Sequence, residues 1–120
     1  MGFFSATETS VDDVQRDYAP ILIPGENVLA AFKTVRDLVF LTNYRLALAN
    51  VQGLTGRKVD VQSISYKSIV RYSVETAGMF DLDADLKIWV SGRAEPFTQQ
   101  FKRGLSIYAV QAVLAGYVCR

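Results

Sequence analysis

The stretch SIYAVQAVLAGYV, residues 106–118, decides how the rest of the chain must fold. Its apolar residues recur in steps of three and four: Ile107, Val110, Leu114 and Tyr117. This spacing predicts an amphipathic helix, because a strand would repeat every two residues. Ser106 can act as its N-cap. A single helix of this kind must bury its apolar stripe against the other elements of the fold.

The residues before this helix predict short strands, because from residue 26 the apolar positions alternate with a period of two. Seven strands are predicted at about residues 26–32, 36–42, 44–49, 59–66, 69–76, 84–91 and 97–102. Regularly spaced short strands predict a mainly β fold, an antiparallel barrel or sandwich closed by the C-terminal helix.

An N-terminal arm precedes this barrel. Residues 11–18 carry apolar side chains at helical spacing after a capping Ser10, which predicts a short helix. We therefore divide the chain into an arm with a short helix, residues 1–25, and a barrel domain, residues 26–118.

Composition excludes several classes of function. The net charge of +1 provides no field that would attract nucleic acid, so no nucleic-acid partner is expected. The chain has no histidine and one cysteine, Cys119, which predicts no disulfide, no activated thiol and a cytoplasmic protein. No paired-acid motif or cofactor loop occurs, so we predict neither catalytic residues nor a cofactor.

Several segments, in this order, resemble the bacterial pleckstrin-homology (PH) domain family: LTNYRL at residues 41–46, QGLTGRK at 52–58, SISYKSI at 63–69, SVETAG at 73–78 and DADLKIW at 83–89. The resemblance covers essentially the whole chain. It implies a seven-stranded PH-like barrel with a C-terminal helix, no known catalysis, symmetric homo-oligomeric rings and a largely unassigned cellular role.

Four cations are candidates for binding an anion or a lipid headgroup, which would place the protein at the inner membrane face. Residues 33–73 hold seven basic and two acidic residues, and residues 96–120 hold three basic and no acidic residues, so an anion site should draw on one of these two segments. Lys33 and Arg36 flank the first hairpin connection, and Arg57 and Lys58 end the turn at residues 53–58. The alternative interpretation is that all four are solvated turn charges.

The acidic residues Asp81, Asp83 and Asp85 do not predict a metal site. A calcium loop starting at Asp81 requires glycine at its sixth position and glutamate at its twelfth, where this chain has Leu86 and Gly92. We interpret these residues as an acidic hairpin that discourages wrong strand pairing.

The final helix has no charged residue between positions 104 and 119. The side opposite its apolar stripe is small and uncharged: Tyr108, Ala109, Ala112, Ala115 and Gly116. A helix facing water is normally polar on that side, so this pattern predicts a second cover. The cover is either the arm helix of the same chain or a neighbouring subunit.

Two strands predict a similar excess of apolar surface. In the sixth strand Leu86 and Ile88 share one face, which leaves the large apolar ring of Trp89 on the other face. The second strand is apolar on both faces as well, which leaves Val39 and Leu41 as further candidates for an exposed apolar patch. The arm could cover one of these patches within a single chain. The oligomer-interface candidates are therefore Val39, Leu41, Trp89, Tyr108, Ala112 and Ala115.

These observations favour a non-enzymatic module that self-associates into a ring and serves as a scaffold or protein-interaction domain. The alternative is a module that binds a membrane surface or an anionic ligand through the four cations.

Overall fold

The computed structural model describes residues 7–34, 37–52, 58–76, 84–101 and 107–119. The elements run in the order β1 (Thr7–Glu8), α1 (Val11–Asp17), β2 (Val28–Lys33), β3 (Asp37–Thr42), β4 (Arg45–Gln52), β5 (Lys58–Ser65), β6 (Ile69–Thr76), β7 (Ala84–Val90), β8 (Phe97–Phe101) and α2 (Ile107–Val118). Short 3-10 turns at Ala19–Ile21 and Tyr66–Ser68 precede β2 and β6.

The strands form two antiparallel sheets. The first has the order β1-β2-β3-β4-β5 and the second the order β6-β7-β8. The predicted mainly β fold with two helices is confirmed, and strands β2 to β8 correspond to the seven predicted strands. The two-residue β1 was not predicted; it pairs with β2 through Thr7 and Glu8.

Both sheets and α2 contribute to one core. Three of the four predicted stripe residues of α2, Ile107, Val110 and Leu114, are buried, and the fourth, Tyr117, is half-buried. Helix α2 packs against β2 and β6. Burying each such side chain is worth about 1.5–3 kcal/mol before entropy is subtracted. The rings of Phe32 and Phe101 meet edge-on, with centres 4.9 Å apart, and thereby join the two sheets. The predicted N-cap Ser106 lies outside the described residues.

The prediction that Val39 and Leu41 are exposed interface residues is wrong. They are 3% and 1% exposed and belong to the core between the sheets. The alternating residue Phe40 points to the opposite face and is fully buried with Val14 of α1, while the ring of Tyr18 lies 5.3 Å away. Strand β3 is therefore covered on both faces within one chain, and its near-continuous apolar run is typical of such a strand.

Glu26 forms a buried ion pair with Arg45, which connects the segment before β2 to the start of β4. The Arg45 guanidinium donates from Nη2 to Oε1 at 2.7 Å and from Nε to Oε2 at 2.8 Å. The Thr42 hydroxyl donates to Oε2 at 2.7 Å, and the backbone N–H of Ile23 donates to Oε1 at 3.2 Å. Four donors thus satisfy a carboxylate whose side chain has no exposure to solvent.

This arrangement stabilises the charged form of Glu26. The hydrogen bonds from Arg45, with those from Thr42 and the Ile23 N–H, lower the pKa of Glu26 from 4.5 to about 2. Burial acts in the opposite direction and is outweighed, because each carboxylate oxygen has donors within hydrogen-bonding distance.

We expect Glu26→Gln to lower the free energy of unfolding by about 3–5 kcal/mol, since breaking a buried ion pair leaves the Arg45 guanidinium without its counter-charge. Urea unfolding at neutral pH measures this loss. The matched control is Glu95→Gln, which neutralises an exposed carboxylate between β7 and β8 and should change stability by less than about 0.5 kcal/mol. Equal losses in the two variants would contradict a stabilising role for the pair.

The stabilisation by Glu26 should disappear in acid. Because its folded pKa is below its unfolded value, the contribution is complete above about pH 4.5 and is lost as the pH falls towards about 2. Between these limits the wild type should lose about 2–3 kcal/mol more than Glu26→Gln, which has no carboxylate to protonate. Urea unfolding across this pH range tests the prediction, and parallel pH profiles for the two proteins would refute it.

Candidate functional site

Two of the four candidate anion-binding cations, Lys33 and Lys58, lie at one end of the first sheet. Lys33 ends β2 and Lys58 begins β5, and both are exposed. Arg36 and Arg57 lie outside the described residues.

Lys33 and Lys58 do not share a site. Phe32 faces the core, so its neighbour Lys33 points to the opposite side of the sheet. Lys58 is six residues before the inward-facing Ile64 and therefore shares the inner face. The two lysines also stand three strand spacings apart, about 14 Å. Convergent binding of one phosphate group by this pair is therefore not supported.

A cleft of about 540 Å³ opens between the edge strands β5 and β8. On its floor the inner face of the first sheet changes from apolar to polar. Asp37 is paired in register with Asn50, and Asn50 with Asp60, so the three form a row across β3, β4 and β5. The Asn50 amide donates a hydrogen bond to the Asp37 carboxylate. Gln62 continues the polar floor along β5.

The opposite wall of the cleft is aromatic and basic. It consists of Phe97 and Thr98 at the start of β8, together with Arg93 and Pro96 from the preceding turn. The Arg93 guanidinium carbon lies 4.0 Å from the centre of the Phe97 ring. Behind this wall, Leu48 and Phe97 also line a small apolar recess of about 20 Å³. The cleft therefore combines carboxylates, amides and an apolar base.

One side of α2 is exposed and uncharged. We define the alanine face as Tyr108, Ala109, Ala112, Ala115 and Gly116, all of which are exposed. Tyr108 is 72% exposed, the largest exposure of any bulky apolar side chain in the described residues. Three of the predicted interface residues therefore lie together on this face, and no described element of the chain covers them.

Trp89 lies on the outer surface of the second sheet, where it is half-buried. Its register partner is Arg71, whose guanidinium carbon is 4.1 Å from the ring centre. A bulge between Ile69 and Arg71 leaves Val70 66% exposed beside them. We call Val70, Arg71 and Trp89 the tryptophan face. Its role in an interface stays a prediction.

The described residues contain neither a metal-binding cluster of side chains nor a membrane-spanning helix. Within them, no three histidine, cysteine or acidic residues cluster in a way that could hold a metal. Asp85 lies in β7, whereas Asp81 and Asp83 fall outside the described ranges. Neither described helix is long and apolar enough to cross a bilayer.

Sequence reasoning missed the cleft and the Glu26–Arg45 pair. The alternation of each strand already contained a signal for the cleft, because Asp37, Asn50 and Asp60 stand at even spacing from inward-facing apolar residues. The ion pair had no comparable signal, because its partners are 19 residues apart and meet only through the tertiary fold.

An antiparallel barrel of two sheets with a C-terminal helix packed against both defines a PH-like module. The sequence model of the bacterial PH domain family matches residues 2–118, and the chain belongs to this family. It is 54% identical to the uncharacterised protein YjqA of Bacillus subtilis, over 99% of each chain.

Two solved structures share the fold. One is a DUF1696 family protein with a pleckstrin-homology domain from Shewanella loihica, with a TM-score of 0.85, 37% identity and coverage of 96% of this chain and 98% of the other. The second is a pleckstrin-homology domain from Shewanella amazonensis, with a TM-score of 0.74, 43% identity and coverage of 92% and 100%.

Proposed function

We propose that this protein is a non-enzymatic PH-like module that self-associates into a homo-oligomeric ring and acts as a scaffold for another protein. The observation that carries the proposal is the exposed, uncharged alanine face of α2. Membership of the bacterial PH domain family supports a non-enzymatic module.

The alanine face is suited to close association. Alanine and glycine allow the backbone of another element to approach, and none of the five residues carries a charge that would have to be desolvated. Tyr108 adds a large ring with a hydroxyl group, and such residues are enriched in interfaces. An apolar surface of this kind is more typical of a contact than of a helix facing water.

The tryptophan face provides a different surface for the same association. We infer that the alanine face of one subunit meets the tryptophan face of the next. A contact between two different patches is heterologous. It closes into a ring when a whole number of equal rotations from one subunit to the next completes a full turn. The Arg71 side chain over Trp89 leaves an aromatic edge and Val70 available for this contact.

Sedimentation velocity at micromolar concentration tests the proposal. We expect the wild type to sediment as a multiple of its 13.3 kDa subunit and Ala112→Glu to sediment as a monomer, because the new carboxylate would be buried without a partner. Ala94→Glu makes the same substitution at an exposed position between β7 and β8 and should leave the assembly intact. A monomeric wild type, or an Ala112→Glu variant that assembles normally, would contradict the proposal.

A mixing experiment distinguishes the proposed contact from one that pairs two identical faces. Trp89→Glu should also sediment as a monomer, because it removes the ring from the tryptophan face. The neighbouring Arg71 can pair with the new carboxylate in the free subunit. Mixed with Ala112→Glu, which keeps its tryptophan face, Trp89→Glu should form a species of twice the monomer mass. Failure to form this mixed dimer, when each variant alone is folded by circular dichroism, would refute the heterologous arrangement.

A further inference from the structure

We infer that the cleft between β5 and β8 is a docking site for an extended segment of a partner protein that carries a lysine or arginine side chain. The segment adds to the first sheet along β5 and places its basic side chain over the polar floor. This inference goes beyond self-association, because it uses a different surface and identifies the chemistry of the partner.

The edge of β5 provides the backbone part of the site. The strand is eight residues long and is the last strand of the first sheet, so its outer edge is not paired with any other described strand. It is also largely exposed, with Val59 at 46% exposure. An extended peptide can pair with such an edge through main-chain hydrogen bonds. Paired edges are common recognition sites, whereas an unoccupied edge of this length is a liability for aggregation.

The cleft beside this edge determines which side chain the segment carries. Asp37 and Asp60 line it, and among the described residues neither forms an ion pair. Asn50 and Gln62 add acceptor oxygens beside them. A lysine or arginine head group matches this set, because cationic donors form the strongest hydrogen bonds with carboxylates.

The apolar base of the cleft suits the stem of the same side chain. Leu48 and Phe97 lie between the polar floor and the recess behind it. Long basic side chains bury their methylene groups on apolar surface while the head group remains polar. The Arg93 guanidinium lies against the Phe97 ring and forms part of the same wall. The cleft volume of about 540 Å³ is within the usual range of ligand sites.

Charge favours a different protein over a second copy of this chain. The two carboxylates of the cleft lining, Asp37 and Asp60, outnumber its one cation, Arg93, so a segment with a basic side chain complements the cleft. Strand β5 of a second copy carries one lysine and one aspartate and has no net charge to match.

A peptide array provides the test. The array holds seven-residue peptides built from threonine, valine, isoleucine and serine. The central residue is lysine, arginine, glutamine or glutamate, which gives four series. Labelled wild-type protein and labelled Ala112→Glu are applied to separate copies of the array. We expect the lysine and arginine peptides to be enriched and the glutamate peptides to be depleted, to the same extent for both proteins. Ala112→Glu removes the proposed self-association but keeps the cleft. If the enrichment of basic peptides is lost in this variant, the cleft does not bind them independently of the assembly, and the inference is overturned. Equal binding of all four peptide series would overturn it as well.

Variants then locate the contact. For the best basic peptide, Asp60→Asn should weaken binding about 10-fold or more, as removal of one partner of a charged contact does. Asp85→Asn removes the same charge from the second sheet and should leave affinity unchanged. Amide shifts in an NMR titration should map to β5 and the start of β8. Equal weakening by both variants, or shifts confined to α2 or the tryptophan face, would refute the assignment.

Discussion

Glu26 holds the N-terminal segment against the barrel through both its carboxylate and its backbone. Its backbone carbonyl accepts a hydrogen bond from the side chain of Gln15 in α1 at 3.0 Å, and the same Gln15 accepts one from the N–H of Val28 at 2.7 Å. Arg45 extends the connection to Ser63 of β5 at 3.0 Å. Because this network fixes α1 above β3, the outer face of the first sheet becomes a second core instead of an exposed apolar surface. The arm helix and the first sheet therefore share one buried cluster.

Local periodicity predicted the elements, and it could do so because each period reflects one backbone geometry. The stripe of α2 and the alternation of the strands each require only neighbouring residues. The apolar run around Val39 was as consistent with burial of both faces of β3 as with an exposed patch. It did not identify the element that covers the second face. That depends on the path of α1 and on the Glu26–Arg45 pair, whose partners are distant in sequence.

The sites were less predictable than the fold, because a site depends on strand register. Lys33 and Lys58 lie at the same end of the first sheet, but the alternation of side chains along each strand places them on opposite faces. Asp37, Asn50 and Asp60 are far apart in the sequence and looked like ordinary strand-end polar residues. Their row exists only once β3, β4 and β5 are aligned.

The composition of the alanine face has a further consequence for the response of this protein to its medium. A surface without charges attracts no counter-ion atmosphere, so the alanine face contributes no ion pair that added salt could screen. Alanine and glycine also have no rotamers to freeze, so little side-chain entropy opposes that contact. The carboxylates of the cleft behave differently, because added salt screens their attraction for a cation. One small domain thus presents an uncharged surface and a second surface whose attraction for cations weakens with salt.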